Sequence, residues 1–401
     1  MLKLLLIAPT CDGQDIGEAW SAYQWVRCLA PRHEVTVLTY YKRGRARLSC
    51  QLPGVRVIEW AEPPGLGRAE RFNSLLKPGY VPFYFRARRW IRTAVARGEQ
   101  FDLAHQLAPL ALRYPSPVAG LGIPFVIGPV GGSLQSPDGF RAEEGTTAWY
   151  VRLRSLDRAR LRRDPWLRRT YEQADCVIGI APYVADLLAG TPVRRFAVMS
   201  DTGLERLPEP VDRTARRHSA VRLLFVGRLV RTKGARDAIR ALSLIRDLPA
   251  RLDIVGDGFD RGACEALASE LGLADRVCFH GWLPRSRIDE FYRSADVFVF
   301  PSYREPGGTV TFEAMGHGLP VLASDLGGPG VVVDETCGIR VHPVSPEQYA
   351  RDLAVALTRL VTEPELRRSL GEGARCRVAE IGLWDSKARQ LETIYANALA
   401  G

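Results

Sequence analysis

Residues 298–320 have the sequence FVFPSYREPGGTVTFEAMGHGLP, and this stretch decides the fold that we predict. The apolar, aromatic run at 297–300 predicts a buried parallel strand, because the strands of such sheets are covered on both faces. Residues 301–306 are predicted to form a loop, and 307–316 a helix that the following glycine and proline end. The stretch therefore predicts a strand, a short loop and a helix start in direct succession.

The loop has the features of an anion site. It follows the carboxyl end of its strand, where open α/β sheets bind ligands, and the first helical turn offers unpaired N–H groups. Gly307 and Gly308 lack a Cβ atom, so a phosphate can approach the backbone closely. Glu305 and Glu313 bracket this site and could accept hydrogen bonds from the hydroxyls of a nucleotide-sugar. On spacing alone, a solvated loop glutamate and an ordinary helix glutamate remain the alternative.

The whole stretch resembles the Glu, seven residues, Glu motif of retaining glycosyltransferases of the GT-B fold, family 4. The family pattern is close to P-S-x-x-E-x-F-G-x-x-x-x-E-A-M-A-x-G-x-P-V, and Gly307 stands here in place of its usual aromatic residue. The resemblance implies that Glu305 binds the hydroxyls of the donor sugar and that Glu313 binds the ribose. It also implies donor contacts from the helix start, which comprises Gly307, Gly308, Thr309 and Val310.

Length and composition indicate two globular domains. The chain has 401 residues, of which 46% are hydrophobic and 25% charged, and it is too long for one ordinary core. No apolar run reaches the ~20 residues that span a bilayer, and residues 2–9 are interpreted as a first strand rather than a signal peptide. The eight cysteines show no Cys-x-x-Cys spacing and no pairing with histidine of the metal-binding type. This pattern favours free thiols in a reducing cytoplasm.

The formal net charge is +10, carried mainly by arginine, and much of it falls in the first half. These arginines form either a solvated helix face or a surface for acidic lipid or a phosphate-bearing acceptor. Nucleic acid is disfavoured because no recognition motif accompanies the charge. We therefore expect a cytoplasmic protein, with or without peripheral contact to the inner face of a membrane. The arginines are Arg86, Arg88, Arg89, Arg92, Arg152, Arg154, Arg158, Arg160, Arg162, Arg163, Arg168 and Arg169.

The first half begins with a βαβ pattern, in which a polar loop precedes a helix at 18–29. Gly17 ends this loop and Glu18 begins the helix, so the N–H groups of the loop face the cleft at the carboxyl edge of the sheet. Related transferases have a glycine pair here that approaches the donor phosphate and the acceptor. Because this loop carries single glycines, a plain surface loop is the alternative.

Two further stretches of the first half resemble the acceptor side of the family. Residues 101–105 resemble its Asp-x-x-His strand, which gives His105 either a catalytic role near the acceptor or a structural one. Many relatives have a histidine that contacts the donor sugar where this chain has Gly131, Gly132 and Ser133. Backbone groups would have to replace that histidine.

The second half begins as the first does, with an apolar strand at 221–226. The string V-G-R-L-V-R-T-K-G that ends this strand resembles the family's V-G-R-L-x-x-x-K-G. In that motif the Arg and Lys hold the donor diphosphate, and here they are Arg228 and Lys233, with Gly227 before them. Arginine makes bidentate contacts to phosphate oxygens, and lysine acts as a point charge.

Two later turns complete the predicted donor site. Gly256 lies in a turn that resembles the family's V-G-D-G rather than a dinucleotide fingerprint, because the third glycine is missing. Trp282 and Leu283 follow the next strand, at the position where relatives receive the nucleotide base. Trp282 either stacks on the base or packs against the protein.

These patterns predict the α/β class and the GT-B fold. Two Rossmann-like, doubly wound domains would face each other across a cleft, and a C-terminal helix would cross back to the N-terminal domain. The predicted segments are an acceptor domain at 1–205, a linker at 206–220, a donor domain at 221–380 and the returning helix at 381–401.

The resemblance implies transfer of a hexose-type sugar from a UDP- or GDP-sugar to an unidentified hydroxyl acceptor, with retention of anomeric configuration. The setting would be bacterial glycoconjugate, polysaccharide or natural-product biosynthesis, with an acceptor that is lipid-linked, anionic or neither. No Asp-x-Asp metal signature is present, so Arg228, Lys233 and the helix amides would stabilise the leaving diphosphate without a metal or other cofactor. The alternatives are an oxidoreductase, disfavoured by the broken glycine fingerprint, a nucleotide-sugar epimerase of GT-B shape, and a non-catalytic membrane-surface binding protein.

Overall fold

The computed structural model describes residues 1–64, 77–144, 156–213 and 220–400. These residues divide into two compact units. The first unit takes the described residues within Met1–Ser133, Trp149–Asp201 and Lys387–Gly401, and the second those within Leu134–Ala148 and Thr202–Ser386. Two stretches thus cluster with the second unit against expectation. Residues 134–144 were expected in the first domain, and residues 206–213 in a linker. The predicted linker residues 214–219 lie outside the described residues.

The first unit is built on a sheet of seven parallel strands in the order β3-β2-β1-β4-β5-β6-β7. Its central strand β1 is fully buried from Leu4 to Ala8, because both faces are covered. The strand order changes direction between β1 and β4, which makes that point the switch point of the sheet. The strands are β1 Lys3–Thr10, β2 Glu34–Tyr41, β3 Arg56–Ala61, β4 Leu103–Gln106, β5 Phe125–Val130, β6 Cys176–Gly179 and β7 Phe196–Val198.

Helices connect these strands. They are α1 Glu18–Leu29, α2 Leu48–Gln51, α3 Tyr80–Ala96, α4 Leu156–Arg163, α5 Pro165–Gln173 and α6 Tyr183–Leu187. The arginine-rich sequence at 149–174 predicts one long helix, but its described part forms two helices instead. The break lies at Asp164, whose carboxylate accepts hydrogen bonds from the amides of Trp166 and Leu167 at 3.0 and 3.3 Å and so caps α5. Arg152 and Arg154 lie outside the described residues.

The second unit repeats the same strand order, β10-β9-β8-β11-β12-β13, with every pair parallel. Its switch point lies between β8 and β11, where Leu223 pairs with Val297 and Leu224 with Phe298. The strands are β8 Val221–Val226, β9 Ala250–Val255, β10 Val277–Gly281, β11 Val297–Phe300, β12 Val321–Ser324 and β13 Gly338–Val341.

The helices of the second unit cover both faces of this sheet. They are α7 Ala235–Leu244, α8 Arg261–Glu270, α9 Arg285–Ser294, α10 Thr309–Gly316, α11 Gly327–Val332, α12 Pro346–Thr362 and α13 Pro364–Arg377. Short 3-10 turns form at Asp138–Glu143 and Arg231–Lys233, and a π turn at Val378–Gly382. The last helix, α14 Trp384–Leu399, begins in the second unit and belongs to the first from Lys387 onward.

In the part of the chain that the structure describes, no helix combines the length and the apolar character that a membrane span requires. All eight cysteines are free thiols, as the sequence predicted.

Candidate functional site

The candidate site lies at the switch point of the second unit. Strands β8 and β11 are neighbours, so the loops that follow them, 227–234 and 301–308, leave the same edge of the sheet side by side. In doubly wound sheets this is the point where ligands bind. The structure therefore brings the two predicted donor motifs together within one unit.

Lys233 and Glu305 join these two loops. Their side chains form an ion pair and are only 14% and 12% exposed. The ammonium group also lies 5.7 Å from the ring centroid of Phe300, at the end of β11. Burial, and then the charge of Arg228, lower the pKa of Lys233 to about 7, while the carboxylate of Glu305 favours the charged lysine. A ligand phosphate beside Lys233 would favour the charged lysine in the same way.

Close backbone packing fixes the two loops against each other. Gly234 has φ 82°, and a Cβ atom there would lie 2.2 Å from the carbonyl oxygen of Pro301. The hydroxyl of Ser302 donates a hydrogen bond to the carbonyl of Thr232 at 3.1 Å. Only glycine allows this approach at position 234, so the glycine after the lysine positions the lysine loop.

Gly327 and Gly328, at the start of α11, pack against the Glu305 loop and support it. The amide of Gly328 donates to the carbonyl of Glu305 at 2.9 Å. A Cβ atom on Gly328 would lie 2.1 Å from the carbonyl oxygen of Gly307, and one on Gly327 would lie 2.2 Å from that of Glu305. Residues 325–328 are glycine-rich at the end of a strand, but their local sequence does not reveal this supporting role.

Helix α10 begins at Thr309, two residues later than predicted, because Gly308 adopts φ 90° and is the residue before the helix. Among the described residues no side chain caps this helix start. Its first amides, at Thr309 and Val310, thus point toward the same edge as Lys233, with the positive end of the helix dipole. The arrangement suits an anion, as predicted.

Glu313 lies one turn further along α10, where two partners hold its carboxylate. The hydroxyl of Tyr292 donates to Oε2 at 3.0 Å, and the exposed Arg285 lies 3.2 Å from Oε1. Burial and then the charge of Glu313 raise the pKa of Tyr292, which keeps its hydroxyl a donor. Sequence reasoning missed Tyr292 and Arg285, because both lie on α9, outside the motif that contains Glu313.

The other predicted donor residues lie on neighbouring loops. Arg228 is exposed and close enough for its charge to act on Lys233. Gly256 has φ 136°, and a Cβ atom there would lie 1.9 Å from the carbonyl oxygen of Gly227, so it is required for loop packing. Trp282 is 75% exposed and does not pack into the protein, whereas Leu283 is partly buried against the core.

The predicted acceptor residues belong to the first unit. Gly17 has φ 64° and precedes α1, and Glu18 forms an ion pair with Lys77. Gly131 packs so closely that a Cβ atom would lie 2.1 Å from Cδ1 of Ile180. Gly132 and Ser133 continue this turn in left-handed conformations, with φ 93° and 54°. The hydroxyl of Ser133 donates to Asp157 at 2.8 Å.

His105 lies in a buried, hydrogen-bonded environment of a structural kind. The side chain is fully buried, Nδ1 lies 2.6 Å from the hydroxyl of Tyr395 on α14, and Nε2 lies 2.7 Å from the carbonyl of Gly128. Because a carbonyl only accepts, Nε2 carries the proton and Nδ1 accepts from the tyrosine. Burial lowers the pKa of His105 to about 4, so the ring is neutral. The predicted catalytic role lacks a free nitrogen.

Two family patterns match the sequence. The family described as "Glycosyl transferases group 1" matches residues 212–377, and the "Glycosyl transferase 4-like domain" matches residues 17–200. The D-inositol 3-phosphate glycosyltransferase of Streptomyces griseus is 35% identical over 189 residues, which cover 44% of this chain and 39% of that protein. The chain spans about half the length, or less, of the curated relatives it matches.

Solved structures are similar over the whole chain. Sucrose-phosphate synthase from Thermosynechococcus elongatus has a TM-score of 0.65 and 24% identity, with 99% of both chains covered. Anabaena HepE in complex with UDP-glucose has a TM-score of 0.61 and 18% identity, with 99% of this chain and 100% of that chain covered. At these identities the similarity concerns the fold, and it confirms the predicted class of two Rossmann-like, doubly wound units.

Proposed function

The chain belongs to the group 1 family of GT-B glycosyltransferases, and from this premise we propose that it transfers a hexose-type sugar from a nucleotide-diphospho-sugar to an acceptor hydroxyl. The observation that carries the proposal is the pairing of Lys233 with Glu305 beside the start of α10, at the switch point of the second unit. A cation, a carboxylate and free helix amides within one site suit a ligand that has both a diphosphate and hydroxyl groups.

The donor diphosphate would occupy the edge between the loops 227–234 and 301–308. Lys233, Arg228 and the first amides of α10 would neutralise the charge that develops on the leaving phosphate, which is usually the largest catalytic contribution. Glu305 would then accept hydrogen bonds from sugar hydroxyls. Glu313, oriented by Tyr292, would accept from the ribose.

We propose transfer with retention and without an enzyme nucleophile. The bond from the anomeric carbon to the phosphate oxygen breaks, and the acceptor oxygen bonds to the same face of that carbon. The proton of the acceptor hydroxyl goes to the leaving phosphate oxygen, which balances the step. The same cationic groups that stabilise the phosphate make a metal ion unnecessary for this chemistry.

UDP-sugars are the first donors to test, because the HepE structures hold UDP or UDP-glucose. The exposed indole of Trp282 offers a surface on which the base can stack. We also propose GDP-sugars as donors, because an aromatic ring can stack on any base. The acceptor would be a lipid-linked glycan, a polysaccharide or a small natural product of bacterial metabolism.

The arginines of the first unit fit a cytoplasmic protein that meets an anionic acceptor or the inner face of a membrane. Two of them instead pair with a carboxylate four positions further along the chain, Arg160 with Asp164 and Arg168 with Glu172. The exposed Phe85 and Trp166 lie beside these charges and would add apolar contact. Membrane contact would be peripheral.

A ligand screen followed by turnover tests this proposal. Thermal shifts with UDP-, GDP-, dTDP- and ADP-sugars should single out one base, with about 2.7 kcal/mol of stabilisation at 100 times Kd. Release of the nucleoside diphosphate should require an acceptor and should persist in excess EDTA. Conversion of the donor without acceptor would indicate an epimerase instead, and dependence on added Mn²⁺ would contradict the metal-free step.

A further inference from the structure

Three potential metal ligands meet on the edge of the second sheet, away from the Lys233–Glu305 pair. Asp253 lies on β9, and Cys278 and His280 lie on the edge strand β10. One ligand atom of each lies within 4.8 Å of the other two. We propose that these three side chains bind a divalent transition-metal ion, with Zn²⁺ the preferred one.

Strand geometry brings the three together. Cys278 pairs directly with Asp253 in the parallel register, and side chains two residues apart on a strand point to the same face. The pairing shifts between Phe279 and Gly281, and His280 at this irregularity still brings its ring within reach of both other ligands. Its Nε2 is 2.8 Å from Oδ1 of Asp253.

The donor set suits zinc. Thiolate, imidazole and carboxylate bind Zn²⁺ at about 2.0–2.3 Å, and three protein ligands with one open position form a common zinc arrangement. Metal binding would replace the contact between Nε2 of His280 and Asp253 with two bonds to the ion. Hard cations such as Mg²⁺ would be disfavoured by the sulfur and nitrogen donors.

The surroundings hold the ligands in place and leave the ion a way in. The imidazole ring of His280 packs edge-on against Phe291 with 4.5 Å between ring centroids. Nη2 of Arg222 lies 3.5 Å from Oδ2 of Asp253, so it neutralises the outer carboxylate oxygen and leaves Oδ1 for the metal. Asp253 is buried, but Cys278 is exposed, so the ion can enter from solvent.

The proposed ion would link the edge strand β10 to its neighbour β9, just before the loop that contains Trp282. His280 is followed by Gly281, whose carbonyl accepts from the amide of Gly256 at 2.8 Å. Binding would therefore stabilise the end of β10 without touching Lys233 or Glu305. The proposal is independent of sugar transfer and needs no donor or acceptor for its test.

Cobalt titration provides the test, because Co²⁺ replaces Zn²⁺ and reports bound thiolate by a charge-transfer absorption band. The full chain, stripped with EDTA and desalted, should bind one equivalent of Co²⁺ with this band, and Zn²⁺ should displace it. Cys278→Ser should abolish the band. His280→Gln and Asp253→Asn should weaken Co²⁺ binding at least about tenfold, since even outer-shell changes cost 10–100-fold.

Cys376→Ser is the matched control, because Cys376 is also exposed but lies outside the cluster. It should leave the band and the affinity unchanged, with far-UV circular dichroism confirming that each variant is folded. Absence of a thiolate band in the native chain, its persistence in Cys278→Ser, or unchanged affinity in His280→Gln would overturn the proposal.

Discussion

The switch points of the two units differ in the charge of their loops. In the first unit, the loop after β1 carries Asp12 and Asp15, and Asp15 is paired with Lys42 at 2.5 Å. In the second unit, the corresponding loop after β8 carries the cations Arg228 and Lys233. The strand order on either side is the same. One topology thus presents a carboxylate-bearing loop at the switch point of the first unit and a cationic loop at that of the second.

The neighbouring strand sharpens this difference. β4 in the first unit ends near His105, which is buried and fully hydrogen-bonded, whereas β11 in the second unit leads to Glu305 and the open start of α10. Among the described residues of the first switch point, the cations Lys42 and Arg45 pair with Asp15, and α1 begins with the carboxylate of Glu18 in its first turn. The helix start of the first unit is thus less open to an anion than that of the second. This comparison predicts that donor binding depends on the second unit's loops alone.

Removing either member of the second unit's pair should have the largest effect. Lys233→Ala removes a cation from the leaving phosphate, and Glu305→Gln removes a charged acceptor for the sugar hydroxyls. Each should lower kcat/KM by at least about 10²–10³-fold, the cost of losing one preorganised electrostatic contact. Steady-state release of nucleoside diphosphate measures this effect.

Lys42→Ala is the matched control, since it breaks the lysine–carboxylate pair of the other switch point. It should leave the affinity for the nucleotide within about twofold. If Lys42→Ala weakened nucleotide binding as much as Lys233→Ala, the contrast between the two units would be wrong.

The glycine after Lys233 should be the next most sensitive position. Gly234→Ala would place a Cβ atom 2.2 Å from the carbonyl oxygen of Pro301 and would force φ 82° on alanine. We expect a loss of about 3 kcal/mol or more of unfolding free energy, together with weaker UDP binding. Urea unfolding and calorimetric titration measure the two effects.

Gly272→Ala separates the clash from the backbone strain. Gly272 has φ 68° but nothing within 4 Å of its Cβ position, so only strain of about 1–2 kcal/mol is expected. An equal loss of unfolding free energy in Gly234→Ala and Gly272→Ala would show that the clash with Pro301 does not destabilise the protein.

His105 should affect stability and not turnover. Its pKa is about 4 in the folded chain and 6.5 in the unfolded one, so the unfolded chain takes up the proton first as pH falls. This difference costs about 3 kcal/mol of stability as pH falls from about 6.5 to 4. His105→Gln should reduce that acid dependence, measured by urea midpoints at both ends of the window.

At neutral pH, His105→Gln should keep kcat within a few-fold of the native value. Glutamine can still accept a hydrogen bond from Tyr395 and donate one to Gly128, so the substitution removes the titrating ring and retains both contacts. A folded variant that lost turnover by about 10²-fold would restore the catalytic role suggested by the strand-end position.

Arg228 should contribute the smallest of these effects, because it is exposed and its interactions are screened by water and salt. Arg228→Ala should weaken UDP binding by about tenfold at low salt, and less at high salt. Arg45→Ala, which removes a partly exposed arginine 3.3 Å from Asp15 in the first unit, should leave UDP affinity unchanged. An equal effect of the two substitutions would point to general surface charge instead.

Local sequence predicted the fold well. The run at 297–300 and the glycines after it have the strand, loop and helix pattern that the structure shows, apart from the two-residue shift that Gly308 causes. The strings around Arg228 and Glu305 identified two loops that the structure places side by side at the switch point of the second unit. The local strings did not show why glycine is required at positions 234 and 328, because both residues pack against backbone that is distant in sequence.

Long-range packing limited the remaining predictions. The burial of His105 depends on Tyr395, which lies 290 positions away. The proposed zinc ligands were missed because Asp253 is 25 residues from Cys278, and only strand register brings them together. Asp164 broke the arginine-rich helix through a local cap that the apolar pattern does not reveal.

A crystal structure of the chain with UDP tests the central claim most directly. We predict the diphosphate at the start of α10, within hydrogen-bonding distance of Lys233 and of the amides at 308–310. A diphosphate bound instead at the loop of residues 11–17 in the first unit would contradict the account.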